Sequence, residues 1–121
     1  TMLSPETYEE HFLPALKECY SDCDMGMLHT HTLGARMLPL FAGIDNIQIL
    51  EISNDPNAAR ASEVYRQYHD VLTEKVVVLR ADYEEILAMR DLFEDTKTVI
   101  WYSAKDEEDA KRAMELVEKY R

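Results

Sequence analysis

Apolar positions along this chain change rhythm several times, between the helical spacing of three to four and short unbroken runs. The first stripe, Tyr8, Phe12, Ala15, Leu16 and Cys19, has helical spacing. Ser4 before Pro5, with Glu6, Glu9 and Glu10 following, supplies an N-cap, a proline at the first helical position and acids at the positive end. A helix is therefore predicted over 5–20. Pro14 removes one backbone donor inside it, so a kink or break is expected near 10–12. The pattern then predicts a strand over 25–31, a helix over 33–42 closed by Gly43, and a strand over 46–52. Asp55 as cap and Pro56 in the first turn open a long helix ending near Thr73, with Ala59, Val64, Tyr68, Val71 and Leu72 on its stripe. Val76, Val77, Val78 and Leu79 follow one another without alternation, which predicts a strand over 75–80 covered on both faces, in the middle of a parallel sheet. A helix from Asp82 or Tyr83 to Leu92, a strand over 98–103 and a helix over 106–120 complete the series. Ala110, Ala113, Met114 and Val117 form the inward side of the last helix.

A leading helix and then strand–helix four times, with short connections, demands parallel strands joined by right-handed crossovers. The fold class is α/β, with about four β/α units. Two architectures meet this description: a small open sheet covered on both faces, or part of a (β/α)8 barrel. With 121 residues the chain is expected to form one domain over 1–121, residues 1–24 being the leading kinked helix.

Charge narrows the partners. Twenty-four acidic residues against thirteen basic give −11, a field that repels nucleic acid and anionic lipid. No apolar run approaches the ~20 residues of a membrane span, and residues 1–5 lack the features of a secretory signal, so a cytoplasmic protein is expected. Cys19 and Cys23, four apart on a helix, read as reduced thiols. No glycine-rich phosphate loop and no nucleophile elbow occurs.

His29 and His31 close the first strand, and period-two geometry puts both rings on one face. Imidazole suits zinc or another first-row metal, given a further ligand. Without metal the same pair would line a polar pocket. Glu51, Asp82 and Ser103 are the neighbours expected near strand carboxyl ends. Alternation puts Glu51 on the face of Ile47 and Ile49, as an acid, base or ligand, or as a satisfied structural carboxylate. Arg80 and Asp82 can pair with each other or with an anionic substrate, and Asp82 can instead cap a helix. The acidic run 106–109 reads as a solvated helix start. Met25, Met27 and Met37 read as core filler, and His11 and His69 have no evident partner.

Ser4-Pro5-Glu6-Thr7-Tyr8, Phe12-Leu13-Pro14-Ala15-Leu16-Lys17, Leu28-His29-Thr30-His31, Leu38-Pro39-Leu40-Phe41 and Ile44-Asp45-Asn46-Ile47-Gln48, in this order, resemble the C-terminal half of uroporphyrinogen-decarboxylase-like proteins. Glu107, Glu108 and Ala110 are similar to that superfamily's closing segment. The resemblance implies a TIM barrel of which this chain supplies the last four or so strand–helix units, with strand carboxyl ends facing the active site. Corrinoid-dependent methyltransferases of the superfamily bind zinc through a His-x-Cys pair and a later Cys, activating a thiol. Here His29 matches the first position, His31 replaces the cysteine, and Tyr102-Ser103-Ala104 carries no later Cys. In the decarboxylases an Asp and arginines of the N-terminal half hold the tetrapyrrole, so the resemblance implies a chain that is incomplete as an enzyme alone. It also implies association with itself or with that N-terminal half, around a small-molecule ligand. The rival expectation is a non-catalytic α/β module that binds a ligand or partner, with helices on both sheet faces and the histidines at its carboxyl edge.

Overall fold

The computed structural model describes residues 3–120; Thr1, Met2 and Arg121, at the ends of the expected domain span, lie outside the described residues. The leading helix is broken where the proline requires it. The first segment, α1 (Pro5–His11), is capped by Ser4, whose hydroxyl accepts the Thr7 amide at 3.2 Å. A second, α2 (Leu13–Tyr20), restarts after Phe12 with Pro14 in its first turn, where a missing N–H leaves no hydrogen bond unmade.

Four strands follow, β1 (Gly26–His31), β2 (Ile47–Ser53), β3 (Val76–Arg80) and β4 (Lys97–Trp101), all parallel and adjacent in sequence order. They are connected by α3 (Leu38–Ala42), α4 (Ala61–Leu72) and α5 (Tyr83–Met89), and α6 (Glu107–Glu118) follows β4. Three right-handed crossovers stepping in one direction put every connecting helix on the same face of the sheet. Burial agrees. Leu50, Ile52, Val77 and Leu79 join one core cluster with Leu38, Tyr65, Ile86, Met89 and Leu116. On the other face Met27, Val99 and Trp101 are 45%, 46% and 55% exposed. This is the winding of a half barrel, not of a sheet sandwiched between helices. The unbroken run of β3 is nevertheless buried on both faces as expected: Val77 and Leu79 meet the helices, and Val78, 8% exposed, is covered on the helix-free side between Glu51 and Val99, leaving only the end residue Arg80 exposed.

Other sequence expectations shift for local reasons. The helix expected over 33–42 is a 3-10 turn, Thr32–Met37, followed by the short α3 with Pro39 in its first turn. The one expected to end at Leu92 tightens into a 3-10 turn at Arg90–Leu92. The fourth strand runs Lys97–Trp101 instead of 98–103, so Ser103 lies in the loop beyond it. The long helix does not open at Asp55 and Pro56; it starts at Ala61, where Glu63 accepts the Arg60 amide at 2.8 Å and Asn54 Oδ1 accepts the Ala61 amide at 2.6 Å. Asp55 is taken by another partner, described below. The loop between turns through Asn57 at φ 59°, a left-handed conformation that asparagine tolerates.

Two devices fix the sheet's ends. At the amino end a bulge at Gln48 shifts the β1–β2 register, with Gly26 opposite Ile47 and then Met27 opposite Ile49. Gly26 is packed against Tyr20, and a Cβ there would stand 2.4 Å from that ring and 2.8 Å from the Asn46 carbonyl oxygen. The buried Lys75 Nζ donates to the carbonyls of Ile44 (2.9 Å) and Ile47 (2.7 Å), and burial lowers its pKa. At the carboxyl end the Arg60 guanidinium forks onto Glu85 at 2.9 and 2.8 Å, and Glu85 also accepts the Ser62 hydroxyl (2.7 Å) and the Asp82 amide (2.9 Å). These donors, the Arg60 fork first, hold the Glu85 carboxyl at about 2 against the opposing effect of desolvation. Among the described residues no helix is long and apolar enough to cross a membrane.

Candidate functional site

The helix-free face is built in rows, because the ladder sets residues of like position side by side. Met27, Ile49, Val76 and Lys97 form the row nearest the amino ends, and His29, Glu51, Val78 and Val99 the next. His31 and Ser53, and Arg80 and Trp101, are paired at the carboxyl ends. On β1, β2 and β3 the order runs from apolar to polar toward the end where (β/α)8 barrels carry their active sites, while on β4 it reverses, from Lys97 to Trp101.

His29 and His31 stand together here, as their spacing predicts. His29 Nδ1 lies 2.9 Å from Glu51 Oε2, the two Nε2 atoms are 3.0 Å apart, and His31 Nδ1 lies 3.0 Å from Asp55 Oδ1. The result is one chain of contacts, Glu51–His29–His31–Asp55, with both rings about half exposed and both carboxylates mostly covered. The bulge at Gln48 corrects the expected placement of Glu51: it shares its face with Ile49 and Ser53, while Ile47 turns into the core. Ser53 Oγ donates weakly to Glu51 Oε1, at 3.4 Å.

Asp55 was read from the sequence as a helix cap, and its position in space is the main addition. Its Oδ2 accepts the Leu33 amide at 2.9 Å, and its own amide donates to Thr32 Oγ1 at 3.1 Å, so it closes the turn that follows β1. The Leu33 amide first, and then the nearby His31 ring, hold its carboxyl below the ordinary aspartate range, against desolvation. The available signal was position: Asp55 lies two residues past the end of β2, where a loop leaves the sheet.

Hydrogen-bond logic restricts what this chain of groups can hold. With each Nδ1–H donating to a carboxylate, a hydrogen bond between the two Nε2 atoms needs a proton on one of them, making one imidazolium between two carboxylates. Without that proton, two Nε2 lone pairs face the same gap. Carboxylate-backed imidazoles with free Nε2 atoms are the usual inner and outer partners of a bound metal. Zinc takes imidazole nitrogen at about 2.0–2.1 Å, so atoms 3.0 Å apart can both reach one ion. Among the described residues no group of three or more His, Cys, Asp or Glu side chains is arranged to hold a metal, so further ligands would have to come from elsewhere.

The remaining expected site residues divide. Arg80 borders a pocket of about 210 Å³ with Glu51, Ser53, Asn54, Val78 and Trp101, beside the histidines. It does not pair with Asp82. Asp82 caps α5 by accepting the Glu85 amide at 2.9 Å and lies 3.8 Å from Arg60. Ser103 lines a neighbouring pocket, of about 440 Å³, together with Arg80, Asp82, Arg60, Tyr83 and Arg112, so Arg80 stands between the two pockets. In the acidic run, Asp106 caps α6 and Asp109 accepts the Tyr102 hydroxyl at 2.8 Å, so part of that run is structural. His11 sits 3.7 Å from Glu10 at the surface; His69 packs on Tyr65; Cys19 and Cys23 are free thiols.

No family model matches this chain, and no curated protein or solved structure is similar enough to match it.

Proposed function

We propose that this chain is the C-terminal half of a uroporphyrinogen-decarboxylase-like barrel, related to the decarboxylases or the corrinoid methyltransferases and incomplete as an enzyme by itself. The observation that supports this reading is the Glu51–His29–His31–Asp55 chain at the carboxyl end of a sheet face bare of helices. In this reading the histidines hold a first-row metal, zinc first among them, through nitrogen instead of the thiolates used by the methyltransferases. Glu51 and Asp55 orient the rings. A metal bound there would supply Lewis-acid polarisation of a substrate oxygen or sulfur. The remaining ligands, and cover for Met27, Val99 and Trp101, come from a second half barrel, either another part of the same protein or a second copy.

Calorimetric titration with zinc and with nickel, on wild type and on His29→Ala with His31→Ala, tests the reading. Wild type is expected to bind one equivalent, and the double variant roughly 100-fold more weakly or not at all. Asp55→Asn is expected to weaken binding roughly 10–100-fold by freeing the His31 ring. Equal binding by wild type and the double variant ends the metal role.

A further inference from the structure

The pocket beside the histidines is bordered by a cation that forms no ion pair among the described residues. The described arginines Arg60 and Arg66 fork onto Glu85 and Asp91, and Arg112 lies 3.8 Å from the centre of the Tyr83 ring. Arg80, exposed at the end of β3, makes no hydrogen bond or ion pair among the described residues; its guanidinium carbon stands 6.0 Å from the centre of the Trp101 ring. Arg112 likewise makes no ion pair among the described residues but lies over the Tyr83 ring, and Arg36 is held by the Leu3 carbonyl; Arg80 differs in keeping its planar fork open beside a pocket. Its neighbours add donors. Asn54 has its oxygen committed to the Ala61 amide while its amide nitrogen has no partner among the described residues, and the Ser53 hydroxyl makes only the 3.4 Å contact with Glu51. Glu51, the one acid of the pocket, is engaged by His29. Val78 and Trp101 give the same pocket an apolar wall.

We infer that this pocket binds a small ligand bearing a carboxylate, with the carboxylate forked by Arg80 and the apolar body of the ligand laid along Trp101 and Val78. The inference rests on reading the helix-free face as a ligand cleft, but not on the histidines holding a metal. A carboxylate fits better than a phosphate. One guanidinium matches one negative charge and a planar fork. The start of α5, the nearest source of backbone donors, is a seven-residue helix whose Glu85 amide is already taken by Asp82.

Trp101 is the only tryptophan in the chain, so its fluorescence reports on this pocket alone. The full chain is titrated with 3-phenylpropionate, with 3-phenylpropionamide and with inorganic phosphate. A saturable change is expected with the carboxylate. The amide, inorganic phosphate, and the carboxylate on Arg80→Gln are each expected to be roughly tenfold or more weaker, the loss typical of a charge-assisted hydrogen bond. Lys111→Gln, on the outer helix α6, is expected to respond as wild type does. His31→Ala, which removes one imidazole of the metal pair but leaves His29 on Glu51, is expected to keep the carboxylate response while weakening metal binding, so that failure of either idea is separable from failure of the other. No saturable change in wild type, equal affinity in Arg80→Gln, or phosphate binding as tight as the carboxylate would each overturn the inference.

Discussion

The two faces of the sheet are made from the same few strands and obey different rules. Toward the helices, Leu50, Ile52, Val77 and Leu79 are at most 1% exposed. Toward the open side, the rows change from Met27, Ile49 and Val76 to His29 and Glu51, with Arg80 and Trp101 at the carboxyl ends. The helical side is selected for burial, which any aliphatic residue of suitable volume supplies. The open side keeps half-exposed Val99 and Trp101 beside paired charged and imidazole groups, a mixture that stability alone does not explain.

Substitution on each face measures this asymmetry. Leu79→Ala, which leaves a hole under α4 and α5, is expected to lower the unfolding free energy by about 2–5 kcal/mol in urea denaturation. A loss below about 1 kcal/mol would show that the helical side is not closely packed.

The next effect is smaller and depends on pH. Glu85 ties the starts of α4 and α5 above the covered side, and its carboxyl is held at about 2, below the ordinary glutamate value of 4.5. A carboxyl depressed in the folded state stabilises fully above its unfolded pKa, and that contribution fades as pH falls from about 4.5 toward about 2. Allowing for the half-exposed Arg60 partner, we expect about 1–2 kcal/mol. Wild type should lose this between those pH values, and Glu85→Gln should show a correspondingly shallower decline. Identical acid profiles for the two proteins would show that the fork contributes nothing in solution.

Smallest of all should be the change on the open side. Val99→Ala is expected to shift stability by less than about 0.5 kcal/mol in the isolated chain, because the residue it truncates is 46% exposed. A cost comparable to that of Leu79→Ala would mean that a partner covers this face in solution, and the comparison would then be between two buried surfaces.

Much of the helical side was legible in the sequence. Pro14 marked the break at Phe12, the Val76–Leu79 run marked an interior strand, and Ser4, Asp82 and Asp106 marked helix starts. The site was legible in part. His29 and His31 meet because their spacing puts them on one side of one strand, a local property. Asp55 was misread because an aspartate before a proline signals a helix start as well as it signals a loop; only the Leu33 amide and the His31 ring, more than twenty residues away in sequence, decide between them. The register shift at Gln48, which separates Glu51 from Ile47, depends on how β2 pairs with β1 and has no local signature.

By itself the sequence determined the alternation of elements, their parallel pairing and the joint orientation of the two imidazoles. Each of these follows from spacing and from short connections acting within a few residues. Tertiary structure decided which sheet face stayed bare of helices among the described residues, which acids reached the histidines and that Arg80 stands by Trp101 without an ion pair among those residues. Those outcomes depend on distant segments competing for the same hydrogen bonds and the same covered area, and no window along the chain contains both competitors.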